Sequence, residues 1–324
     1  MDFGLEEHQD QLLRTAQQWI ERSWSKGTIS SSVGRRSLWV EVVENGWAGL
    51  LEQTGDGATV LDAALLVEEL SHGGCSLPIV GGGLLAPLTA EVAGLGVPAG
   101  GAGLLAFETG GETEPAARGL EIFDSAIAVR WTHEGGSRSW EVAEISLDDA
   151  GLVADQEEER FSLSRMADAE VLRSASWAAA DPSAMEAVWR VGAVLTAAEL
   201  VGLARAVLAR CVDYAGTRVQ GGKPIGGHQA IQHRLADMLA GIDQSRYATC
   251  WAAAHPDDQM AVHQAKALAA RDCVSAIRAA HQVMGAISFS AEDELHHFHK
   301  QALLAANEFG SANHHWTALE RLSS

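Results

Sequence analysis

Up to about residue 95, apolar positions recur at helical spacing. Leu5, Leu12, Leu13, Ala16 and Ile20 share one face, with Glu, Gln and Arg between them. Trp39, Val40, Val43, Trp47 and Leu50 make a second stripe. Val60, Leu61, Ala64, Leu65, Leu66 and Leu70 make a third, which stops at Ser71-His72-Gly73-Gly74, a glycine helix end. Residues 81 to 103, rich in Gly and Ala with Pro87 and Pro98, suit a short helix followed by a connection. From about 103 to 177 the period shortens. Ala126–Trp131 and Trp140–Ile145 read as strands separated by the turn segment Glu134-Gly135-Gly136-Ser137.

Asp181-Pro182 then opens a new helical region, with proline in the first turn. The stretches 182–216, 228–254, 257–285 and 291–308 are each long enough for a bundle helix. Their short breaks predict an up-and-down antiparallel arrangement. The reading is therefore a mostly α chain with a small central β domain: an N-terminal helical domain over 1–102, a small and degenerate β domain over 103–178, and a C-terminal four-helix bundle over 179–324. No internal repeat interrupts that order.

Composition narrows the function classes. At 324 residues the chain has room for two or three units sharing a core. A formal net charge of −20 argues against nucleic acid and anionic lipid as partners, since both need a basic surface. No apolar run reads as long and uninterrupted enough to span a bilayer, and the acidic opening Met1–Glu7 does not read as a secretory signal. Cys75, Cys211, Cys250 and Cys273 lie far apart without a CxxC pair and read as free thiols, which places the chain in a reducing cytoplasm.

The densest chemistry lies between Tyr214 and Met238, a glycine-rich break between two long helical stretches. Arg218 stands at its entrance, and its planar guanidinium can grip a diphosphate through two parallel hydrogen bonds. Gly221-Gly222 and Gly226-Gly227 permit positive φ and close backbone approach. The next helix begins near His228-Gln229 and turns its free N–H groups toward the same region. The same residues also suit a plain helix hairpin whose arginine compensates a helix dipole.

The pattern is similar to that of the acyl-CoA dehydrogenase family. The family reads Tyr-Ala-x-x-Arg-x-Gln-Phe-Gly-x-Pro-Ile, then Gln-Ala-Ile-Gln-x-x-Leu-Ala-Asp-Met. This chain reads Tyr214-Ala215-Gly216-Thr217-Arg218-Val219-Gln220-Gly221-Gly222-Lys223-Pro224-Ile225, then Gln229-Ala230-Ile231-Gln232-His233-Arg234-Leu235-Ala236-Asp237-Met238. Gly221 stands where the family has phenylalanine. Met1-Asp2-Phe3 and Val67-Glu68-Glu69-Leu70 resemble family segments of the first domain. Gln282-Val283-Met284-Gly285-Ala286-Ile287-Ser288-Phe289 resembles a Gln-x-x-Gly-Gly-x-Gly-aromatic element, with Ala286 and Ser288 in place of two glycines.

The resemblance implies FAD as cofactor. Arg218 and Gln220 would lie on its phosphates, Gln229 at the exit of the hinge, and Gln282 and Gly285 by its adenosine-diphosphate half across a subunit interface. Added side chains at Ala286 and Ser288 would hinder close approach there. The implied substrate is an acyl-CoA thioester, dehydrogenated at its α and β carbons, with an electron-transfer flavoprotein as a possible electron acceptor.

The resemblance also exposes losses. Family members carry a glutamate base in a Tyr-Glu-Gly-Thr segment. Counting forward places that base at Phe309, within Glu308-Phe309-Gly310-Ser311, so Glu308 is only an adjacent candidate. The alternative helix position falls near Gly192, two turns from Glu186 and Glu199. Thr113-Glu114-Pro115-Ala116-Ala117 keeps part of one flavin-lining segment, and the Trp-Ile-Thr-Asn segment is missing. Elements that reach into a partner's site are kept while those of the chain's own site are lost. The profile resembles the non-catalytic partner in α2β2 assemblies, some acting on steroid side-chain CoA thioesters, where a larger base-bearing subunit carries the chemistry. A self-sufficient enzyme using Glu308 and a non-enzymatic scaffold of the same fold are the rival readings.

His296 and His299 have the i, i+3 spacing of helix-borne metal ligands, and with His297, His314 and His315 they read as a solvated histidine-rich face rather than a metal site. Glu157-Glu158-Glu159-Arg160 reads as a solvated loop. Trp19, Trp39, Trp47 and Trp189 fall on apolar faces and read as core or interface.

Overall fold

The computed structural model describes residues 4–24, 32–52, 57–96, 101–109, 116–134, 137–147, 152–154, 163–166, 169–289 and 293–324. Met1–Phe3, Pro98, Thr113–Pro115, the centre of the Glu134–Ser137 turn and Glu157–Arg160 lie outside them. In chain order the elements are helices α1 (Glu7–Ser23), α2 (Ser32–Glu44), α3 (Val60–His72) and α4 (Ala86–Val92), and strands β1 (Gly103–Glu108), β2 (Ala116–Arg118), β3 (Ser125–Glu134), β4 (Ser137–Ser146), β5 (Leu152–Ala154) and β6 (Leu163–Met166). There follow α5 (Ala169–Ser174), β7 (Ala178–Ala180), α6 (Pro182–Thr217), the two-residue strands β8 (Val219–Gln220) and β9 (Lys223–Pro224), α7 (Gln229–Ala254), α8 (Gln259–Met284), α9 (Leu295–Ala305) and α10 (Ala312–Ser323).

The chain packs as two compact units that interleave in sequence: Met1–Ile20, Thr59–Cys75 and Ala193–Ser324 form one, Glu21–Ala58 and Ser76–Gly192 the other. In the second unit β1 lies parallel to β3, and β3 and β4 pair antiparallel from Ser125↔Ser146 to Glu134↔Ser137, with β7 on the outer side of β4. A small sheet β2-β6-β5 accompanies them. One face of the larger sheet packs its apolar side chains, Ile127, Val129 and Val142 among them, against Ala86, Ala90 and Met185. Trp140 meets Trp131 and Trp189 at ring separations of 5.5 and 6.0 Å. The glycine-rich stretch after Pro78 forms a π-helical turn, Ile79–Leu85, that runs straight into α4. Gly82 and Gly83 are buried in it, and a Cβ on Gly82 would strike the Phe123 ring at 2.5 Å.

The first unit carries the helices that matter for function. Thr59 and Asp62 form a reciprocal capping box at the start of α3, and Gly73 ends it. Asp62 also accepts from Gln9 at 2.8 Å and from His8 at 3.2 Å, which ties α1 to α3. Glu68, buried on α3, is shared by Arg205 of α6 and Arg246 of α7, the latter at 2.7 Å. Gly202 lets α3 and α6 approach so closely that a Cβ there would lie 2.2 Å from the Glu68 carbonyl oxygen. The core between α6, α7, α8 and α9 is built from Leu200, Leu203, Val207, Ile242, Ile277 and Phe298 among others.

Two expectations need correction. The 36-residue α6 is long and apolar enough to cross a membrane by length and composition, with mean hydropathy 1.8 over its best window, although 83% of that window is buried within the fold. The last helical stretch, expected over 291–308, spans only Leu295–Ala305 and is followed by a further helix: Asn307–Phe309 form a turn after α9, and Ser311, whose hydroxyl accepts from the His314 amide at 3.4 Å, starts α10. The four cysteines are free. Burial pushes Cys211 and Cys273 up to about 12, so neither is a thiolate nucleophile.

Candidate functional site

The hinge is built from backbone. α6 stops at Thr217, whose hydroxyl donates to the Asp213 carbonyl at 3.0 Å, and the Arg218 amide donates to Tyr214 at 2.8 Å. β8 and β9 pair across Gly221 and Gly222, whose φ of 63° and 81° are those of a two-residue turn that demands glycine or asparagine. The Ile225 amide closes the loop on the Arg218 carbonyl at 2.8 Å, with Ile225 buried beneath. Gln232 Nε2 holds the Gly226 carbonyl at 2.9 Å and Lys223 Nζ that of Gly227 at 3.1 Å. His228 precedes α7 without a side-chain cap, so the helix begins with free amides. Arg218, Gln220 and Gln229 are all exposed around this frame.

α7 and α8 are joined by the short link at 255–258 and run antiparallel. Gly241 faces Asp272, since a Cβ on the glycine would sit 3.3 Å from that of Asp272. Twelve residues back along α7 and twelve forward along α8, Gln229 is level with Met284. The fold therefore brings Arg218, Gln220, Gln229, Gln282 and Gly285 to one end of the α7–α8 hairpin. Gln282 and Gly285 are exposed there, and Gly285 ends α8 with φ 67° and no atom within 4 Å of a built Cβ.

Of the two expected obstructions at this turn, only one points outward. Ala286 is exposed, whereas Ser288 is fully buried, donating to the Gly285 carbonyl at 2.7 Å and lying 3.0 Å from His281 Nδ1. Its side chain fastens the turn from within and adds nothing to the outer surface.

Glu308 lies elsewhere. Lys266 Nζ bonds the Ala305 carbonyl and His263 meets His315 at 2.7 Å, so the turn carrying Glu308 and Phe309 stands beside the first part of α8. From the level of Lys266 to Gly285 is about 28 Å of helix at 1.5 Å per residue. Phe309, at the position the resemblance gives to the base, has a left-handed backbone with φ 54°, and its carbonyl accepts from His315 Nε2 at 3.0 Å. The other carboxylates are engaged. Glu199 is buried and accepts from Gln301 at 2.8 Å, and Glu186 pairs with Arg138 at 3.5 Å. Among the described residues no three His, Cys, Asp or Glu side chains converge as metal ligands.

Residues 182–322 match the family model described as acyl-CoA dehydrogenase, C-terminal domain. Over that stretch the chain is similar to the acyl-CoA dehydrogenase family. Acyl-CoA dehydrogenase IpdE2 of Mycobacterium tuberculosis is 36% identical over 110 residues, 34% of each chain. Acyl-CoA dehydrogenase FadE34 of the same organism is 37% identical over 123 residues, 36% of this chain and 17% of that one. The matched stretch thus spans about a third or less of these relatives. Among solved structures, a variant of the Tcur3481-Tcur3483 steroid ACAD superposes with a TM-score of 0.77 at 18% identity over 98% of both chains. A glutaryl-CoA dehydrogenase from Mycobacterium smegmatis in complex with FADH2 gives 0.77 at 14% identity, covering 99% of this chain and 95% of that one. The acyl-CoA dehydrogenase fold therefore extends over the whole chain, β domain included.

The sequence passed over His281 and read Ser288 only as an obstruction, not as its partner. The only sign of them was a serine where a glycine is usual, preceded at seven residues by a histidine on the same helix end.

Proposed function

We propose that this chain is a flavin-linked acyl-CoA dehydrogenase subunit whose exposed hinge and α8 terminus complete the FAD site of a second, base-bearing subunit. The observation that carries this reading is the separation inside the first unit: five cofactor-suited residues crowd one exposed end of the α7–α8 hairpin, and Glu308 stands about 28 Å away along α8.

The residues present fit a dinucleotide. Gly221, Gly222 and Gly285 hold positive φ with open space outside them, so backbone can approach a ligand closely. The uncapped start of α7 supplies amides and a positive dipole end to a phosphate. Arg218 would grip the diphosphate in bidentate fashion, Gln220 and Gln229 would donate amide hydrogen bonds beside it, and Gln282 would reach the adenosine half. When bound, FAD would accept the hydride from the β carbon of an acyl-CoA thioester as the partner's carboxylate removes the α proton. This chain's part is binding and orientation. Leu239, Tyr247 and Trp251, exposed on the outer side of α7, offer an apolar surface for that partner. The double designation of the steroid ACAD neighbour is in keeping with a two-chain assembly acting on a steroid CoA thioester.

The test is to express the chain alone and together with a larger acyl-CoA dehydrogenase subunit. The expected result is a colourless chain alone and a yellow complex with one FAD per pair, which loses FAD affinity ten- to a hundredfold in Arg218→Ala and is not restored by Arg218→Lys. A yellow, active assembly of this chain by itself would overturn the proposal.

A further inference from the structure

Ser288, His281 and His299 form a hydrogen-bond chain whose direction is fixed by elimination. The Gly285 carbonyl can only accept, so the Ser288 hydroxyl spends its one proton there, at 2.7 Å. His281 Nδ1, 3.0 Å from Ser288 Oγ, must then be the donor. A neutral His281 with its proton on Nδ1 has a bare Nε2, so His299 Nδ1, 3.1 Å away, donates to it. His299 Nε2 ends the chain as a buried acceptor with no partner among the described residues.

Both imidazoles are held neutral. Burial lowers His281 below the ordinary histidine value, with Asp293 opposing and His296 assisting. Burial, His281 and Arg278 lower His299 likewise. Asp293 is itself engaged by Arg210 of α6 at 3.4 Å, which leaves no unshared carboxylate among these groups to draw a proton onto the pair. The chain also supports an aromatic ring. Phe289 lies face to face on His281, centroids 4.8 Å apart at 24°, while 74% of the residue remains exposed. A phenylalanine so exposed is unusual unless its free face has a use.

We infer that His281 and Ser288 are positioning residues that hold the Gly285–Phe289 turn in its ligand-ready shape, and that His299 fixes the His281 tautomer this requires. The inference rests on the proposed FAD role for what the turn contacts, but the arrangement itself belongs to this chain. Without the serine, the Gly285 carbonyl and the Phe289 ring lose their common anchor. Without His299, His281 is free to take the other tautomer and release Ser288.

Two measurements separate this from the assembly question. Nitrogen NMR of the chain alone should find the His281 proton on Nδ1 at neutral pH, with His299→Leu shifting it toward Nε2. Amide exchange over residues 285–289 should quicken about tenfold in Ser288→Ala and recover in Ser288→Thr, which restores a hydroxyl. In the yellow complex, the same Ser288→Ala change should weaken FAD retention while thermal stability changes little. A His281 proton on Nε2 in the unaltered chain, or a turn whose exchange ignores both substitutions, would overturn the inference. If the complex fails to form but tautomer and exchange behave as stated, the partner reading falls and the positioning role stands.

Discussion

His315 shows how a single buried side chain sets the acid sensitivity of the bundle. It donates from Nε2 to the Phe309 carbonyl and therefore receives a proton from His263 at Nδ1. Burial, with His263 and Lys266 beside it, pushes its value from 6.5 down to about 3. The unfolded chain takes up this proton near pH 6.5 and the folded one only near 3, so the stabilisation is full above 6.5 and is lost as pH falls through that window, by up to roughly 4 kcal/mol. Urea midpoints measured from pH 7 to 4 should fall steeply in the unaltered chain and more shallowly in His315→Gln; parallel profiles would show that His315 does not titrate with unfolding. Residues of this sort escape a reading of the sequence. Arg218, Gln220, Gln229, Gln282 and Gly285 could be singled out as candidates because their chemistry and spacing travel together along the chain. His299 and His315 read as part of a solvated face, and His281 was not singled out, because histidine spacing carries no information about which helix lies opposite.

Elements were legible wherever one period ran long. α1, α3, the β3–β4 pair and the long helices from Pro182 onward follow the apolar stripes within a few residues, whereas α2 ends at Glu44, leaves Trp47 and Leu50 of the second stripe beyond it and exposes Val40. The last expected stretch ended at 308, just before the left-handed Phe309 and Gly310, but α10 beyond them was not legible, because its twelve residues carry only a short apolar pattern, Trp316, Leu319 and Leu322. Nor could composition distinguish α6 from a membrane span: a helix buried on nearly all sides is apolar all round. Gly202 is the point where that burial is tightest. In Gly202→Ala the new methyl meets the Glu68 backbone, which cannot yield without disturbing the bridge to Arg205 and Arg246. The expected loss is about 1–3 kcal/mol in denaturant unfolding, despite the better helix propensity of alanine. The hinge should respond in the opposite pattern. At Gly222 a side chain has space and suffers only from φ 81°, so Gly222→Val should weaken FAD retention in the complex and Gly222→Asn should be tolerated. Equal effects of valine and asparagine would show that backbone shape there does not matter.

At the scale of the whole molecule, the order of elements conceals that α1 and α3 pack in the same unit as the C-terminal helices, since contacts such as Gln9 to Asp62 and Glu68 to Arg246 follow no local period. It also conceals which helix face is left over. Met238, Ile242, Ser245, Thr249 and Ala252 turn α7 inward, and Leu239 and Trp251 remain on its outer side at 48% and 41% exposure. These apolar side chains, about 15 and 33 Å along the helix that leaves the hinge, are where that partner would bury surface. Leu239→Asp puts a charge on this face without touching the core. Its effect on the folding of the chain alone should stay within about 0.5 kcal/mol. Recovery of the larger subunit on a tagged copy of this chain should fall at least tenfold, because a carboxylate buried in an apolar contact has no counter-charge there. Val33→Asp, at a more exposed position on α2, serves as the control and should leave recovery unchanged. If Leu239→Asp binds the larger subunit as well as the unaltered chain does, the outer face of α7 is not the contact, and the hinge must reach its flavin from another side.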